Sequence, residues 1–111
     1  AKVSGNLETT AVTQLSTATN SGGGAIDLTK NIHFLEAGNT YTLANGSLTG
    51  QIMYFSATSG TGTTTVTVAN AVRSFSGSPQ NETDYAWNLH GSNVNIRFCI
   101  WNGSRWVLDN G

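Results

Sequence analysis

The sequence predicts an all-β domain, a small antiparallel β-sandwich or jelly-roll-like barrel of roughly seven to nine short strands. Composition is the first observation behind this prediction. Only 10% of the 111 residues are charged and 38% are hydrophobic, and much of the remainder is Thr, Ser, Asn and Gly, which disfavour helix. The second is a period-two alternation of apolar and polar residues along several segments. The third is the Gly and Asn clusters that separate these segments, because such clusters form tight turns.

The chain is long enough for one domain with one core. Its first part, residues 1–24, is rich in Thr, Ser and Asn and ends in the glycines 22–24. This composition predicts an N-terminal arm or linker that packs on a neighbour or lies along the domain, with the glycines as a flexible joint. Within the arm, residues 11–15 favour a short strand or a turn of helix. The β-sandwich domain is then predicted to span residues 25–111.

The first alternating segment of the domain lies directly after the arm. Ile26, Ile32 and Phe34 share one parity of the period-two pattern and are expected to face the core. His33 falls among the polar residues of the other parity and is expected on the polar face. A turn at residues 36–39 ends this segment.

Two further strands are predicted before residue 58. Residues 40–43 form the first, and Asn45-Gly46 after it is a strong hairpin signal. Residues 50–57 are apolar on both parities, which is typical of a strand covered on both faces. This strand is therefore expected to be central or to touch another subunit. The side chains predicted to contact another copy or a partner are Ile52, Met53, Tyr54, Phe55 and Trp87.

The next predicted strand alternates along residues 63–69, after a turn at residues 59–62. Residues 71–75 are expected to continue the sheet after a bulge or bend. Residues 77–84 contain the only proline, Pro79, and predict a polar surface loop.

The last section begins at residues 85–89 and has its clearest alternation at residues 94–101, after a turn at residues 90–93. Residues 101–106 predict a tight hairpin, from which residues 105–108 return. The side chains of the long strand expected to face the core are Val94, Ile96, Phe98 and Ile100.

Candidate catalytic groups are few and scattered. His33 or His90 would need an acid and a hydroxyl nucleophile beside it in a pocket, and a β-protein rich in Ser and Thr offers such hydroxyls everywhere. Glu82 and Asp84 lie two apart in the predicted loop, but a glycosidase pair also needs a sugar-sized cleft, which this chain has little mass to build. We expect no catalytic residue and no enzyme activity.

Metal and cofactor sites are likewise not expected. Oxygens of Asn81, Glu82 and Asp84 lack the dense acidic spacing of a calcium loop. Cys99 is the only cysteine, so neither an intrachain disulfide nor a thiolate cluster can form, and its apolar neighbours favour a packed, inert thiol. Glycines 22–24 are not followed by the Gly-Lys-Ser/Thr of a phosphate-binding loop.

The charge distribution bears on partners. The net charge is −1, and the five basic residues are scattered rather than clustered. Nucleic acid binding requires clustered Lys and Arg, so we do not expect it. We also do not expect a membrane partner, because no apolar run approaches the ~20 residues of a spanning helix.

The tryptophans are open to two interpretations. Trp87, Trp101 and Trp106 would suit a shelf on which a glycan stacks. Alternatively, Trp101 and Trp106 face each other across the hairpin as a cross-strand aromatic pair, and Trp87 marks a subunit contact. The second interpretation is favoured by the spacing of the hairpin residues.

Four segments carry a resemblance to a known class of protein. They are residues 40–46 (TYTLANG), 50–55 (GQIMYF), 63–70 (TTTVTVAN) and 94–108 (VNIRFCIWNGSRWVL). A hairpin with Asn-Gly and Gly-Gln, then a Thr-Val-Thr-Val strand and a closing Trp hairpin, resembles small phage virion proteins, namely β-rich domains of fibres, spikes and capsid decorations. The resemblance covers about residues 25–108.

The resemblance implies a non-enzymatic structural protein on the surface of a phage particle, often a homotrimer. Without long shaft repeats the chain is more similar to a capsid decoration protein or head fibre, which would contact the major capsid protein. The alternative is a receptor-binding domain of a tail fibre or spike that recognises a host surface glycan. An independent reason to expect self-association is the strand at residues 50–57, because symmetric copies are the ordinary way to cover a second apolar face.

Overall fold

The computed structural model describes residues 15–59, 61–90 and 96–109, and all regular structure in these ranges is β-strand. No helix in the described ranges is long and apolar enough to cross a membrane. The all-β class is confirmed, as is the number of strands. The nine strands are β1 Thr17–Asn20, β2 Gly24–Ala25, β3 Ile32–Glu36, β4 Thr40–Leu43, β5 Ile52–Ser59, β6 Thr63–Phe75, β7 Ser78–His90, β8 Ile96–Trp101 and β9 Trp106–Leu108.

The first six strands form three successive coils of the chain, and each coil contains one odd-numbered and one even-numbered strand. The odd strands β1, β3 and β5 form one parallel ladder, and the even strands β2, β4 and β6 form another. Short glycine-containing turns connect each odd strand to the next even one. Gly38, with a φ of 83°, lies in one such turn, and a Cβ there would be 2.6 Å from the carbonyl oxygen of Thr61 in the next turn. Glycine therefore permits the two turns to stack closely.

The last three strands join the two ladders into one curled sheet. β8 pairs antiparallel with β5 and β9, β9 pairs parallel with β6, and β7 pairs antiparallel with β6. The strand order is β1-β3-β5-β8-β9-β6-β4-β2, with β7 beside β6. The antiparallel part of the prediction is corrected, because the sheet is mixed. Alternation determines which side chains share a face, but it reads the same in parallel and antiparallel strands.

The segment interpreted as an N-terminal arm contributes to this sheet. β1 lies within residues 1–24 and pairs with β3, and β2 begins at Gly24 and pairs with β4. Residues 1–14, including most of the predicted short element at 11–15, lie outside the described residues. So does the predicted turn at residues 90–93, apart from His90 at the end of β7.

In two strands, the side chains predicted to face the core face outward, and the alternate side chains face the core instead. In β3, His33 and Leu35 are fully buried, whereas Phe34 is 37% exposed. In β8, Cys99 and Trp101 are buried, whereas the outward side chains include the predicted core residues Ile96, Phe98 and Ile100. Both parities of these strands carry apolar residues, so the local pattern alone does not decide which face turns inward. Val94 lies outside the described residues.

The predicted polar loop at residues 77–84 is instead part of β7. Ser76 and Gly77, with φ of 54° and 81°, make a two-residue turn that pairs Phe75 with Ser78. Positive φ at both turn positions is the geometry that matches the twist of a hairpin. Pro79 is accommodated because, among the described strands, β7 pairs only with β6.

The core lies between the two ladders. Leu35, Met53 and Phe55 enter it from the odd strands, and Tyr41 and Val66 enter it from the even strands. The predicted central position of β5 is confirmed, since it lies between β3 and β8. Burial of these apolar groups is the main stabilising contribution to a small sheet of this kind.

Candidate interaction surface

The outward surface of four adjacent strands is apolar. We call it the outer face, and it lies on β3, β5, β8 and β9. Its side chains are exposed or half-buried, with Ile96 at 65% exposure and Phe98 and Val107 at 40%. Its members are Ile32, Phe34, Ile52, Tyr54, Ile96, Phe98, Ile100 and Val107.

Strand register aligns these side chains in rows. Opposed pairs place Ile32 next to Tyr54 and Tyr54 next to Phe98. The rings of Tyr54 and Phe98 have centroids 6.1 Å apart, within the range of a favourable aromatic contact. A second row opposes Ile52 to Ile100 and Ile100 to Val107. These two rows are continuous, whereas in a third row Ser56 lies between Phe34 and Ile96.

The outer face is a patch of moderate size. Its eight side chains, each occupying about 4.8 × 6.7 Å of sheet, cover roughly 260 Å². This is just below the ~300–600 Å² of the largest apolar patch on a typical monomer, a patch that is often functional. The members of the outer face carry no formal charge. The surface is thus chemically suited to contact another protein surface.

The predicted contact residues fall on opposite sides of the sheet. Ile52 and Tyr54 lie on the outer face. Met53 and Phe55 are fully buried in the core, so they cannot contact a partner, and Trp87 is only 4% exposed and meets the Phe55 ring edge-on at 5.9 Å. Alternation along β5 separates the two pairs, as period two requires.

Sequence reasoning missed most of the outer face. Phe34 and Phe98 were expected in the core, because each belongs to the more apolar parity of its strand. The available signal was that the other parity also carried apolar groups, among them Leu35, Cys99 and Trp101. A strand with apolar side chains on both faces needs a packing partner on each face, and the core of the domain provides only one of them.

Two of the three tryptophans proposed for glycan stacking are engaged inside the fold. Trp101 and Trp106 oppose each other across the β8–β9 hairpin, with ring centroids 5.3 Å apart, and are 6% and 0% exposed. The Trp106 indole N–H donates to the carbonyl oxygen of Ala44 at 2.8 Å. The interpretation as a cross-strand pair is confirmed, and their rings are not available as a shelf.

His33 is held as a neutral, hydrogen-bonded core residue. Its Nε2–H donates to the carbonyl oxygen of Lys30 at 3.0 Å, and its Nδ1 accepts from the Asn20 amide at 3.1 Å. Its ring stacks on Phe55 with centroids 5.5 Å apart. Desolvation lowers the pKa of His33, and the Lys30 hydrogen bond opposes this effect. With both nitrogens engaged, the ring has no position from which to take a proton from a substrate.

Glu82 and Cys99 are also structurally engaged. The Glu82 carboxylate accepts from Arg73 Nε at 2.9 Å, and Asp84 adopts a φ of 49° within β7. Burial raises the pKa of the Cys99 thiol, which disfavours the reactive thiolate. Within the described ranges, no three His, Cys, Asp or Glu side chains lie close enough to hold a metal ion.

A small cavity lies between the β6–β7 hairpin, the start of β8 and the end of β9. Its volume is about 190 Å³, and its polar lining includes Arg73, Tyr85, Asn88, Arg97 and Asp109. Trp87, the third tryptophan proposed for glycan stacking, forms part of its wall.

No family model, curated protein sequence or solved structure matches the chain.

Proposed function

We propose that this chain is a non-enzymatic structural protein of a phage particle surface, which decorates or cements the capsid and associates with copies of itself as a homotrimer. The observation that carries the proposal is the outer face, an uncharged apolar surface on four adjacent strands. Exposure of such a surface to water is unfavourable in free energy, and contact with the apolar surface of another copy removes it from water.

A second copy of the chain is the occupant that fits this surface best. Because its members are uncharged, two outer faces meet without like-charge repulsion, and a net charge of −1 adds little. In a homotrimer, the outer face of each copy would contact both neighbouring copies around the threefold axis. The outer face supplies roughly a third of the ~800 Å² per partner of a stable interface, and polar neighbours such as Thr17 and Thr19 would form the rim.

The virion assignment is supported by the resemblance and by the character of the surface. A trimer that buries its apolar side leaves hydroxyl and amide groups outside, which suits a crowded particle. The engaged state of His33, Glu82 and Cys99 is consistent with a structural rather than catalytic protein.

Sedimentation velocity at micromolar concentration tests the association. We expect the natural chain to sediment as a trimer and Ile96→Asp to sediment as a monomer, because the new carboxylate would be desolvated at the interface. Leu48→Asp is the matched control: this side chain is 71% exposed but lies outside the strands of the outer face. A natural chain that is monomeric, or an Ile96→Asp variant that remains trimeric, would contradict the proposal.

A density map of the native particle tests the location. We expect the nine-stranded domain on the outside of the head, in contact with the major capsid protein. Density in the tail, or no copy in the particle, would exclude the decoration role.

A further inference from the structure

We propose that the cavity beside Arg97 is a binding site for an acidic monosaccharide, held by its carboxylate group. The site is separate from the outer face, so the inference does not depend on self-association. It rests on two guanidinium groups that reach the same small cavity with donor capacity unused.

Both arginines are fixed in place at Nε. Arg97 donates from Nε to both carboxylate oxygens of Asp109 at 3.0 Å, and Arg73 donates from Nε to Glu82 at 2.9 Å. Among the residues that the structure describes, no hydrogen bond uses an Nη atom of either side chain. The Nη2 of Arg97 is enclosed by protein and closed to a ligand, so the donors that remain for a ligand are Nη1 of Arg97 and the two Nη atoms of Arg73.

Aromatic rings further restrict the two guanidinium groups. The Arg97 Cζ lies 5.4 Å from the centroid of the Trp87 ring, and the Arg73 Cζ lies 5.1 Å from that of Tyr85. Arg73 also lies over Phe75, at 5.0 Å. A guanidinium held on a ring face and at Nε loses little entropy when it binds a ligand.

A carboxylate is the group that this donor set selects. The two Nη atoms of Arg73 form a planar fork that matches the two oxygens of a carboxylate, and Nη1 of Arg97 adds a third donor; hydrogen bonds between charged groups are the stronger class. The rest of the lining suits hydroxyl groups, because Asp109 accepts hydrogen bonds and Ser74, Tyr85 and Asn88 can donate or accept them.

The volume is sufficient for one sugar unit. A cavity of about 190 Å³ equals roughly six water volumes, which is well below the ~300–1,000 Å³ of sites for drug-sized molecules. Together the carboxylate preference, the hydroxyl partners and the volume indicate a single uronic-acid-like residue, free or at the end of a glycan.

Titration followed by amide and indole NMR tests this inference, with sodium glucuronate as the probe and glucose and sodium acetate as comparisons. We expect glucuronate to shift the Trp87 indole resonance in a saturable manner and to leave those of Trp101 and Trp106 in place. Glucose and acetate should each bind at least tenfold more weakly. Equal binding of acetate would indicate a general anion site, equal binding of glucose would remove the role of the carboxylate, and either result overturns the proposal.

Variants locate the site. Arg73→Gln should weaken glucuronate binding at least tenfold, whereas Lys30→Gln, which removes the same charge outside the cavity, should not change it. If Arg73→Gln fails to fold, as judged by loss of the Trp101 and Trp106 resonances, Asn88→Ala takes its place, because Asn88 is exposed and lines the cavity. Unchanged affinity in a folded cavity variant would overturn the assignment.

Discussion

A single buried histidine links the stability of this protein to pH. His33 is fully buried in the core of the sheet, and its neutral form satisfies both Asn20 and the carbonyl of Lys30. A protonated ring would have to donate from Nδ1 to an amide that now donates to it. The polar interior position is therefore stable only while the ring stays neutral.

We predict that stability decreases as the pH falls below about 6.5, the ordinary pKa of His33 in the unfolded chain. Burial lowers the folded-state pKa, so the unfolded chain binds more protons between the two pKa values, and unfolding becomes easier there. One proton contributes at most about 1.4 kcal/mol per pH unit. Urea unfolding from pH 7.5 to 5 measures this, and the slope should become smaller in His33→Gln, which cannot titrate. An identical slope in that variant would contradict the prediction.

Gly46 is required for a different reason than the sequence suggested. Asn45-Gly46 was interpreted as a hairpin signal, but β4 and β5 on either side do not pair with each other. Instead, a Cβ at Gly46 would lie 2.5 Å from Cγ of Trp101. The glycine lets the loop pass directly over the indole of a buried tryptophan.

We predict that Gly46→Ala destabilises the protein by about 1–3 kcal/mol, because Trp101 is packed against Trp106 and cannot move freely. Chemical denaturation gives the value. Ser47→Ala in the same loop is the control, since its side chain is exposed, and it should change stability by less than about 0.5 kcal/mol. A Gly46→Ala variant as stable as this control would show that the loop has room to shift.

At the scale of the strand, the decisive property is which of the two alternating sets of side chains faces the core. The sequence predicted the positions of β3 to β6, β8 and β9 and most turns, but not β1, β2 or the first half of β7. The predicted hairpin at residues 101–106 is confirmed by the pairing of Trp101 with Trp106. The sequence did not predict the inward parity of β3 and β8, because both parities are apolar. Only the contacts made by Leu35 and Cys99 with the rest of the core distinguish the two faces.

Two side-chain truncations, one at a core position and one on the outer face, test which side chains are buried. We predict that Leu35→Ala, at a fully buried position, costs about 2–5 kcal/mol of stability, whereas Ile96→Ala, at a position 65% exposed, costs less than about 1 kcal/mol. Both lose three carbons' worth of aliphatic side chain. Denaturation should be measured at concentrations low enough to dissociate any oligomer. Equal costs would mean that β8 buries the opposite face in solution.

At the scale of the whole molecule, the curled sheet explains why an apolar surface remains outside. The inner sides of the two ladders cover each other, but β3, β5, β8 and β9 also carry outward apolar side chains that the described part of the chain leaves exposed or half-buried. The ion pairs Arg73–Glu82 and Arg97–Asp109 lie away from this surface, around the cavity. The apolar outer face and the charged groups around the cavity thus lie on different parts of the molecule.

We predict that self-association through the outer face persists in 1 M NaCl, because its members bear no charge to be screened. Sedimentation velocity at 0.05 and 1 M NaCl checks this. Glucuronate binding to the cavity should instead weaken at high salt, since it depends on two guanidinium groups. An oligomer that dissociates in salt would point to a charged interface elsewhere.

The sequence by itself determined the all-β class, the approximate positions of most strands, the turns rich in Gly and Asn, and the pairing of Trp101 with Trp106. These are local properties, set by backbone preferences and by neighbours a few residues apart. Strand direction, the burial of His33, the inclusion of β1 and β2 in the sheet and the outer face were decided by the tertiary structure. Each depends on which distant strand lies alongside, and a period of two is the same for every partner and for either face.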